Sequence, residues 1–362
     1  MMKKLCYVEP TLSRYSLTSI MEMADHVDVD VVYSPIDRAK GFGAVIEFDH
    51  PRLRYIKVPT YQPFGEKVGQ YQAGLLTVFR KSKADAIILS CNPRYISLWL
   101  SLIWARLLGI KVYLHGHGLH KKMPSPRLVN RLIYWALLRL TNGYICYTES
   151  VLQSLSGRCA PEKLTIADNS ITVEKQIAPA EKTGAEKGIL FLGRLRTGCG
   201  LELLIHAVQE LREKHGINLE IFALGGGERY SEFFAYKCPW LHLYGEVYDH
   251  AKIAEISRAC LIGAYPGDVG LSLVHYMALS LPPLIHDCLP RNNPEACYLK
   301  DGINGFSFSY SGGQAALTRR LLEIMAMDPA KFAAIRETCF SDFQDLVSPP
   351  MSVRMLKAAR LL

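Results

Sequence analysis

The chain has 362 residues, 49% of them hydrophobic and 21% charged, which excludes a disordered or coiled-coil protein and exceeds one ordinary core, so two domains are expected. Its net charge is +8, and the excess lies in the first half: residues 1–180 carry 23 Lys and Arg against 14 Asp and Glu, and the remainder 19 against 20. That asymmetry points to an anionic partner for the first half, either a membrane surface, a phosphorylated molecule or a nucleic acid. No signal-peptide core is expected, because the run LCYV after Lys3 and Lys4 is broken at Glu9. The most apolar stretch, residues 95–110, contains Arg106 and falls short of the ~20 residues that cross a bilayer as a helix. Ten cysteines without a CxxC pair read as reduced, mostly buried thiols in a cytosolic protein.

Short apolar runs alternate with runs of helical period. In the first half, strands are expected at 4–8, 27–33, 86–90, 111–115 and 143–147, and helices at 16–26, 69–81, 96–108 and 127–140. The polar segment 172–187, with Pro179 and Gly184, reads as a linker. The alternation then restarts, with strands at 189–192, 218–224, 241–244, 261–265 and 283–286. Helices follow at 201–214, 251–259, 271–279, 314–327 and 352–362. The pattern predicts an α/β protein of two Rossmann-like, doubly wound domains facing one another across a cleft, with ligands beyond the carboxyl ends of the strands. The expected division is 1–171, linker 172–187, second domain 188–345, and a terminal helix 346–362 free to return to the first domain.

Three loops of the second half suit phosphate chemistry. GRLRTGCG, residues 193–200, combines glycines that admit close backbone approach with Arg194 and Arg196, whose guanidinium groups can grip a phosphate. GGGE, residues 225–228, follows a strand and is equally a flexible turn. YPGDVGLSLVHYMALS places a turn before a helix beginning at Gly270, Leu271 and Ser272, whose amides and dipole favour an anion. Asp268 precedes that helix and His275 lies one turn into it, either as a ligand or as a satisfied core histidine.

The succession of GRL(x)4G, GGGE, LHLYGEV, YPGDVGLSLVHYMALSLPPLIHD and DGINGFSF resembles glycosyltransferase family 4 over residues 188–310. Over residues 80–170 the likeness is looser, carried by CNPRYISLWL, YLHGHG, NGYICYTES and LTIADNSI. The resemblance implies the GT-B architecture and transfer of a sugar from a nucleotide-sugar donor with retention of configuration, without a metal or other cofactor. It assigns Arg194, Gly270, Leu271 and Ser272 to the donor diphosphate, places Glu228 near the base and ribose, and puts His115 or His117 of HGHG beside the reacting sugar. Three positions depart from the family: Cys199 stands where a Lys is common, with Arg196 as its nearest substitute. Gly267 and His275 stand where two glutamates are usual, with Asp268 beside the first; His275 can still accept a ribose hydroxyl through an unprotonated nitrogen. The loop TLSRYS, residues 11–16, replaces a glycine-rich turn.

Two functions remain open on these residues: a transferase building a surface polysaccharide or similar glycan, or an inactive relative that only binds a sugar nucleotide or glycan. The run PRLVNRLIYWALLRL, residues 126–140, sets Arg127, Arg131 and Arg139 among apolar and aromatic residues, after Lys121 and Lys122. It is either a sheet-covering helix with solvated arginines or a surface for anionic lipid, which would suit a lipid-diphosphate-linked acceptor and a peripheral position on the inner membrane face. Nucleic acid is not expected, since no zinc-ligand spacing or RNA-binding signature is present.

Overall fold

The computed structural model describes residues 2–12, 14–35, 47–63, 65, 69–119 and 128–362. It divides into two compact units, Met1–Asn169 with Pro349–Leu362, and Ser170–Ser348. In the first, seven strands form an all-parallel sheet in the order Leu53–Lys57, Asp28–Tyr33, Lys4–Val8, Ala86–Ser90, Lys111–Gly116, Gly143–Cys146, Leu164–Ile166. In chain order this is 3-2-1-4-5-6-7, so the winding reverses between Lys4–Val8 and Ala86–Ser90. Both faces are covered, as near-continuous apolar strands require. Helices Leu75–Ser82, Ile96–Leu107 and Leu128–Leu140 bury Phe79, Leu102 and Leu137 on one face. Helices Arg14–Ala24 and Met351–Ala358 bury Leu17, Ile20, Met355 and Leu356 on the other.

The second unit has six parallel strands in the order Leu241–Gly245, Glu220–Leu224, Gly188–Leu192, Cys260–Tyr265, Pro283–His286, Phe306–Phe308. Their chain order is 3-2-1-4-5-6, with the reversal between Gly188–Leu192 and Cys260–Tyr265. The α/β, doubly wound class expected from the alternation is the one observed.

Several segments differ from expectation. Residues 172–187 pack on the second unit rather than spanning free. Val173 and Ile177 enter its core with Ile171, Ile177 N donates to Ala278 O at 3.1 Å, and Glu186 meets Arg336 in a buried ion pair at 3.2 Å. Three apolar side chains spaced over seven residues were enough to anchor a stretch that composition marks as polar. The helix expected at 69–81 begins at Leu75, because Tyr71–Gln72 pairs antiparallel with Thr60–Tyr61. Helix Pro329–Val347 is additional: its apolar positions Phe332, Ile335, Cys339 and Phe343 recur at helical spacing between charged residues. The edge strands Leu53–Lys57, Leu164–Ile166 and Phe306–Phe308 are also additional, too short or too polar to stand out. All ten cysteines are free thiols, and no described helix is long and apolar enough to cross a membrane.

Candidate functional site

In the second unit the three loops singled out by sequence converge at the reversal of strand order. Gly193 N donates to Leu224 O at 2.9 Å, Leu195 N to Gly226 O at 2.9 Å, and Gly267 N to Cys199 O at 3.1 Å. Glycine is required by this approach. A Cβ on Gly225, which has φ +150°, would lie 1.9 Å from Gly193 O, and one on Gly200, at φ +81°, would lie 2.4 Å from Gly267 N. A Cβ at Gly267 itself would fall 2.2 Å from Gly198 O. No side chain fits at position 267 with the loops so placed.

Arg194 and Arg196 are both exposed on the first loop. The Arg196 guanidinium neighbours the Tyr265 hydroxyl, and the Tyr265 ring stacks on Phe191 at 5.0 Å and packs over Gly193. Glu228 is exposed and accepts from Thr197 N at 3.3 Å, so it ties the second loop to the first. Helix Ser272–Ala278 points its start at the same place: Ser272 Oγ lies 3.4 Å from the position a Gly193 Cβ would take. Leu273 N and His275 N are the first to bond back, to Gly270 O and Leu271 O, so the amides of Gly270, Leu271 and Ser272 precede the helical ladder.

His275 is buried and its Nε2 has no hydrogen-bond partner. Burial, and secondarily the nearby His250, lower its pKa to about 3, so it is a neutral acceptor or donor rather than a cation. The His250 ring stands edge-on at 5.6 Å, and its Nδ1 accepts from Glu174 N at 3.1 Å.

Asp268 accepts from Arg291 Nε at 3.2 Å, and His286 Nε2 stands 3.8 Å from the same oxygen. His286 is fully buried at the end of its strand, and its Nδ1 accepts from Cys288 N at 3.2 Å. Burial lowers its pKa, partly offset by Asp268. Arg291 also lies over the Tyr310 ring at 4.8 Å. His286, Arg291 and Tyr310 were not expected from sequence. The signal was present, since His286 is the last residue of an apolar strand and His115 the last but one of another.

In the first unit His115 is the last residue but one of strand Lys111–Gly116. Tyr147 holds the pair of candidate histidines together, with its ring 4.4 Å from that of His115 and 4.3 Å from that of His117. His115 Nε2 is buried without a partner, and burial followed by the influence of His117 lowers its pKa to about 3. Tyr7 and Glu9, at the end of Lys4–Val8, join by a 2.9 Å hydrogen bond and were also not expected. Arg131 and Arg139 are exposed on helix Leu128–Leu140, whereas Lys121, Lys122 and Arg127 lie outside the described residues. Among the described residues no group of three or more His, Cys, Asp and Glu is placed to hold a metal.

Residues 186–327 match the family model of group 1 glycosyl transferases. No curated protein sequence matches the chain. Solved structures are similar over its whole length at low identity. HepE of Anabaena, in complex with UDP, is 14% identical with a TM-score of 0.69 and 100% of both chains covered. The pneumococcal O-GlcNAc transferase GtfA, in complex with UDP and GlcNAc, is 9% identical with a TM-score of 0.70 and 99% of each covered. A glycosyltransferase of Rickettsia africae is 13% identical with a TM-score of 0.67, covering 99% of this chain and 98% of that one. Residues 186–327 thus resemble a group 1 glycosyl transferase domain, and the chain has the two Rossmann-like sheets of the GT-B fold seen in these structures.

Proposed function

We propose that the enzyme moves a sugar from a nucleoside diphosphate donor to a glycan or lipid-linked acceptor, with retention of configuration, in the assembly of a surface polysaccharide. The observation that carries this reading is the interlocked glycine framework of the second unit, which sets Arg194, Arg196 and the start of helix Ser272–Ala278 around one point. Two guanidinium groups and converging amides are the groups a departing diphosphate needs, because they meet charge that develops as the sugar bond breaks. Arg194, Arg196 and the Gly270, Leu271 and Ser272 amides take the diphosphate, with no metal required. Glu228 and His275 take the base and ribose, Asp268 meets the donor sugar, and His115 or His117 serves the transfer step. The HepE and GtfA structures hold UDP, so a uridine diphosphate sugar is the first donor to test.

Thermal shift of the purified chain with UDP, GDP, ADP and CDP is expected to single out one base. Turnover of the matching nucleotide sugar, unchanged by EDTA, is expected to follow. Binding without turnover of any nucleotide sugar would instead favour a catalytically silent binder, the reading that the side-chain-free position 267 supports.

A peripheral place on the inner face of the cell membrane completes the proposal. Helix Leu128–Leu140 turns Leu128, Val129, Leu132 and Trp135 outward, at the spacing of one face. A water-facing helix would carry polar residues there. Arg131 is exposed beside them, and the Arg139 guanidinium lies 4.9 Å from the Trp135 ring centre. On the adjacent helix Ile103 and Leu107 are exposed, and a pocket of about 170 Å³ between the two is lined by Leu102, Arg106, Lys111 and Asn142. Cations among exposed apolar and aromatic side chains suit the headgroup level of an anionic bilayer.

A further inference from the structure

We propose that His286 is a positioning residue, which holds the Asp268 carboxylate in the direction that meets the donor sugar; the assignment rests on the reading of Asp268 given above. Every group involved belongs to the second unit. His286 is the last residue of strand Pro283–His286, whose register sets Ile285 beside Tyr265. Tyr265 is in turn the last residue of the neighbouring strand, and Asp268 lies three residues beyond it. The two side chains therefore leave adjacent strand ends.

The loop after His286 ties itself to the turn that carries Asp268. Asn292 Oδ1 accepts from Val269 N at 3.0 Å, Asn293 N donates to Val269 O at 2.8 Å, and Asn292 Nδ2 donates to the His286 carbonyl at 3.1 Å. On the other side of Asp268, Gly267 N is bonded to Cys199 O. The backbone is thus fixed before and after Asp268, and its side chain is what remains to be set.

Hydrogen bonds decide the tautomer of His286. Its Nδ1 accepts from Cys288 N at 3.2 Å and lies 3.4 Å from Asn292 Nδ2, an amide group that can only donate. Nδ1 therefore carries no proton. The residue is fully buried, and burial outweighs the pull of Asp268 to keep the ring neutral, which leaves its one proton on Nε2. That N–H has no hydrogen-bond partner, a costly state for a buried donor. Asp268 Oδ1 stands 3.8 Å from it, so a movement of less than about 1 Å completes the bond.

From the outer side Arg291 Nε reaches the same oxygen at 3.2 Å. Arg291 is half exposed, whereas the His286 ring packs edge-on against Tyr310 at 4.9 Å and Phe308 at 6.4 Å. The arginine supplies an attraction that solvent weakens, and the histidine a fixed direction. A carboxylate addressed by two donors at one oxygen keeps one orientation, and as a pure acceptor it suits a sugar hydroxyl.

Two measurements on the full chain test this. With isotope-labelled histidine, the proton–nitrogen NMR signal that His286→Gln removes is expected to be that of a ring protonated at Nε2 alone; a proton on Nδ1 would overturn the assignment. The second is calorimetry with UDP, GDP and ADP beside UDP-glucose, UDP-N-acetylglucosamine, GDP-mannose and ADP-glucose. His286→Leu is expected to leave the affinity for the bare diphosphate unchanged and to weaken the matching sugar nucleotide about tenfold. His286→Gln, which keeps an amide donor, is expected to recover most of that loss. In an Asp268→Ala background His286→Leu is expected to add nothing. Unchanged binding, an equal loss for diphosphate and sugar nucleotide, or a loss that persists without Asp268 would overturn the proposal. If Asp268→Ala itself leaves the balance between the two ligands unchanged, the role of Asp268 falls and this one with it; if no nucleotide binds the wild type, the transferase reading falls first.

Discussion

At the scale of single residues, function rests on backbone that only glycine can follow. Gly225 brings one loop against the carbonyl of Gly193, so Gly225→Ala must either push the loops apart or adopt a strained dihedral. A cost of about 2 to 3 kcal/mol is expected, read as a lowered Tm with loss of the nucleotide-induced shift. Arg196 can be removed without disturbing that framework. If it grips the donor diphosphate, Arg196→Ala weakens nucleotide binding by about 2 kcal/mol in calorimetry, and unchanged affinity would remove it from the donor site.

Two buried histidines add a pH signature. His115 and His275 are held neutral to about pH 3, whereas an unfolded histidine protonates near 6.5. Between those values the unfolded chain binds more protons, so their contribution is present above about pH 6.5 and is lost as pH falls toward 3. Urea unfolding at pH 7 and pH 5 checks this, with His275→Gln expected to flatten the difference. Glu9 acts with the opposite sign. Its pKa is raised, so stability falls as pH rises from the ordinary carboxyl value toward 7, and the variants are best compared singly.

Among the elements, helix Pro329–Val347 is held by more than its apolar stripe. Arg336 and Glu186 pair with both side chains almost completely buried, and Arg336 bridges the helix to the segment entering the second unit's first strand. The attraction of the guanidinium holds the Glu186 carboxyl below its usual range despite burial. Removing one partner strands the other charge, so Arg336→Ala is expected to destabilise the protein by about 3 to 5 kcal/mol in chemical unfolding. Helix Leu128–Leu140 carries the opposite design, with large apolar groups on its outer face. Flotation with phosphatidylglycerol vesicles at low salt is expected to recover the wild type but not a Leu132→Glu, Trp135→Glu variant. Each neighbouring arginine contributes about 1 kcal/mol to that binding.

For the molecule as a whole, what could be read from sequence follows the range of the interactions involved. The two doubly wound sheets were legible because buried parallel strands are short continuous apolar runs. The loops at 193–200, 225–228 and 266–270 were legible because their glycines and arginines sit within a few residues of one another. Glu9 was not. Beside Pro10 it looks like a residue ending a strand, and only the register that lines Lys4–Val8 up with Ala86–Ser90 and Lys111–Gly116 brings it to the face of His115. Arg291 and His286 escaped for the same reason: their link to Asp268 spans about twenty residues. The linker expected at 172–187 failed on a count of composition, which cannot weigh three well-placed apolar anchors.

The last helix has a consequence for how the protein is made. Met355, Leu356, Ala359 and Leu361 are buried against Leu17 and Ile20, Lys3 Nζ reaches Arg360 O at 2.8 Å, and Arg354 meets Asp168 at 2.6 Å. The first unit is therefore completed by Pro349–Leu362, which follow the second unit in the chain. On the ribosome, where domains ordinarily fold in the order they emerge, the second unit can finish first, while the earlier half waits with one sheet face bare. A chain stopped at Ser348 is expected to keep a nucleotide-binding second unit but yield a first unit that binds a hydrophobic dye and is cut early by protease. Nascent chains released late in synthesis would thus be prone to aggregate through their N-terminal half.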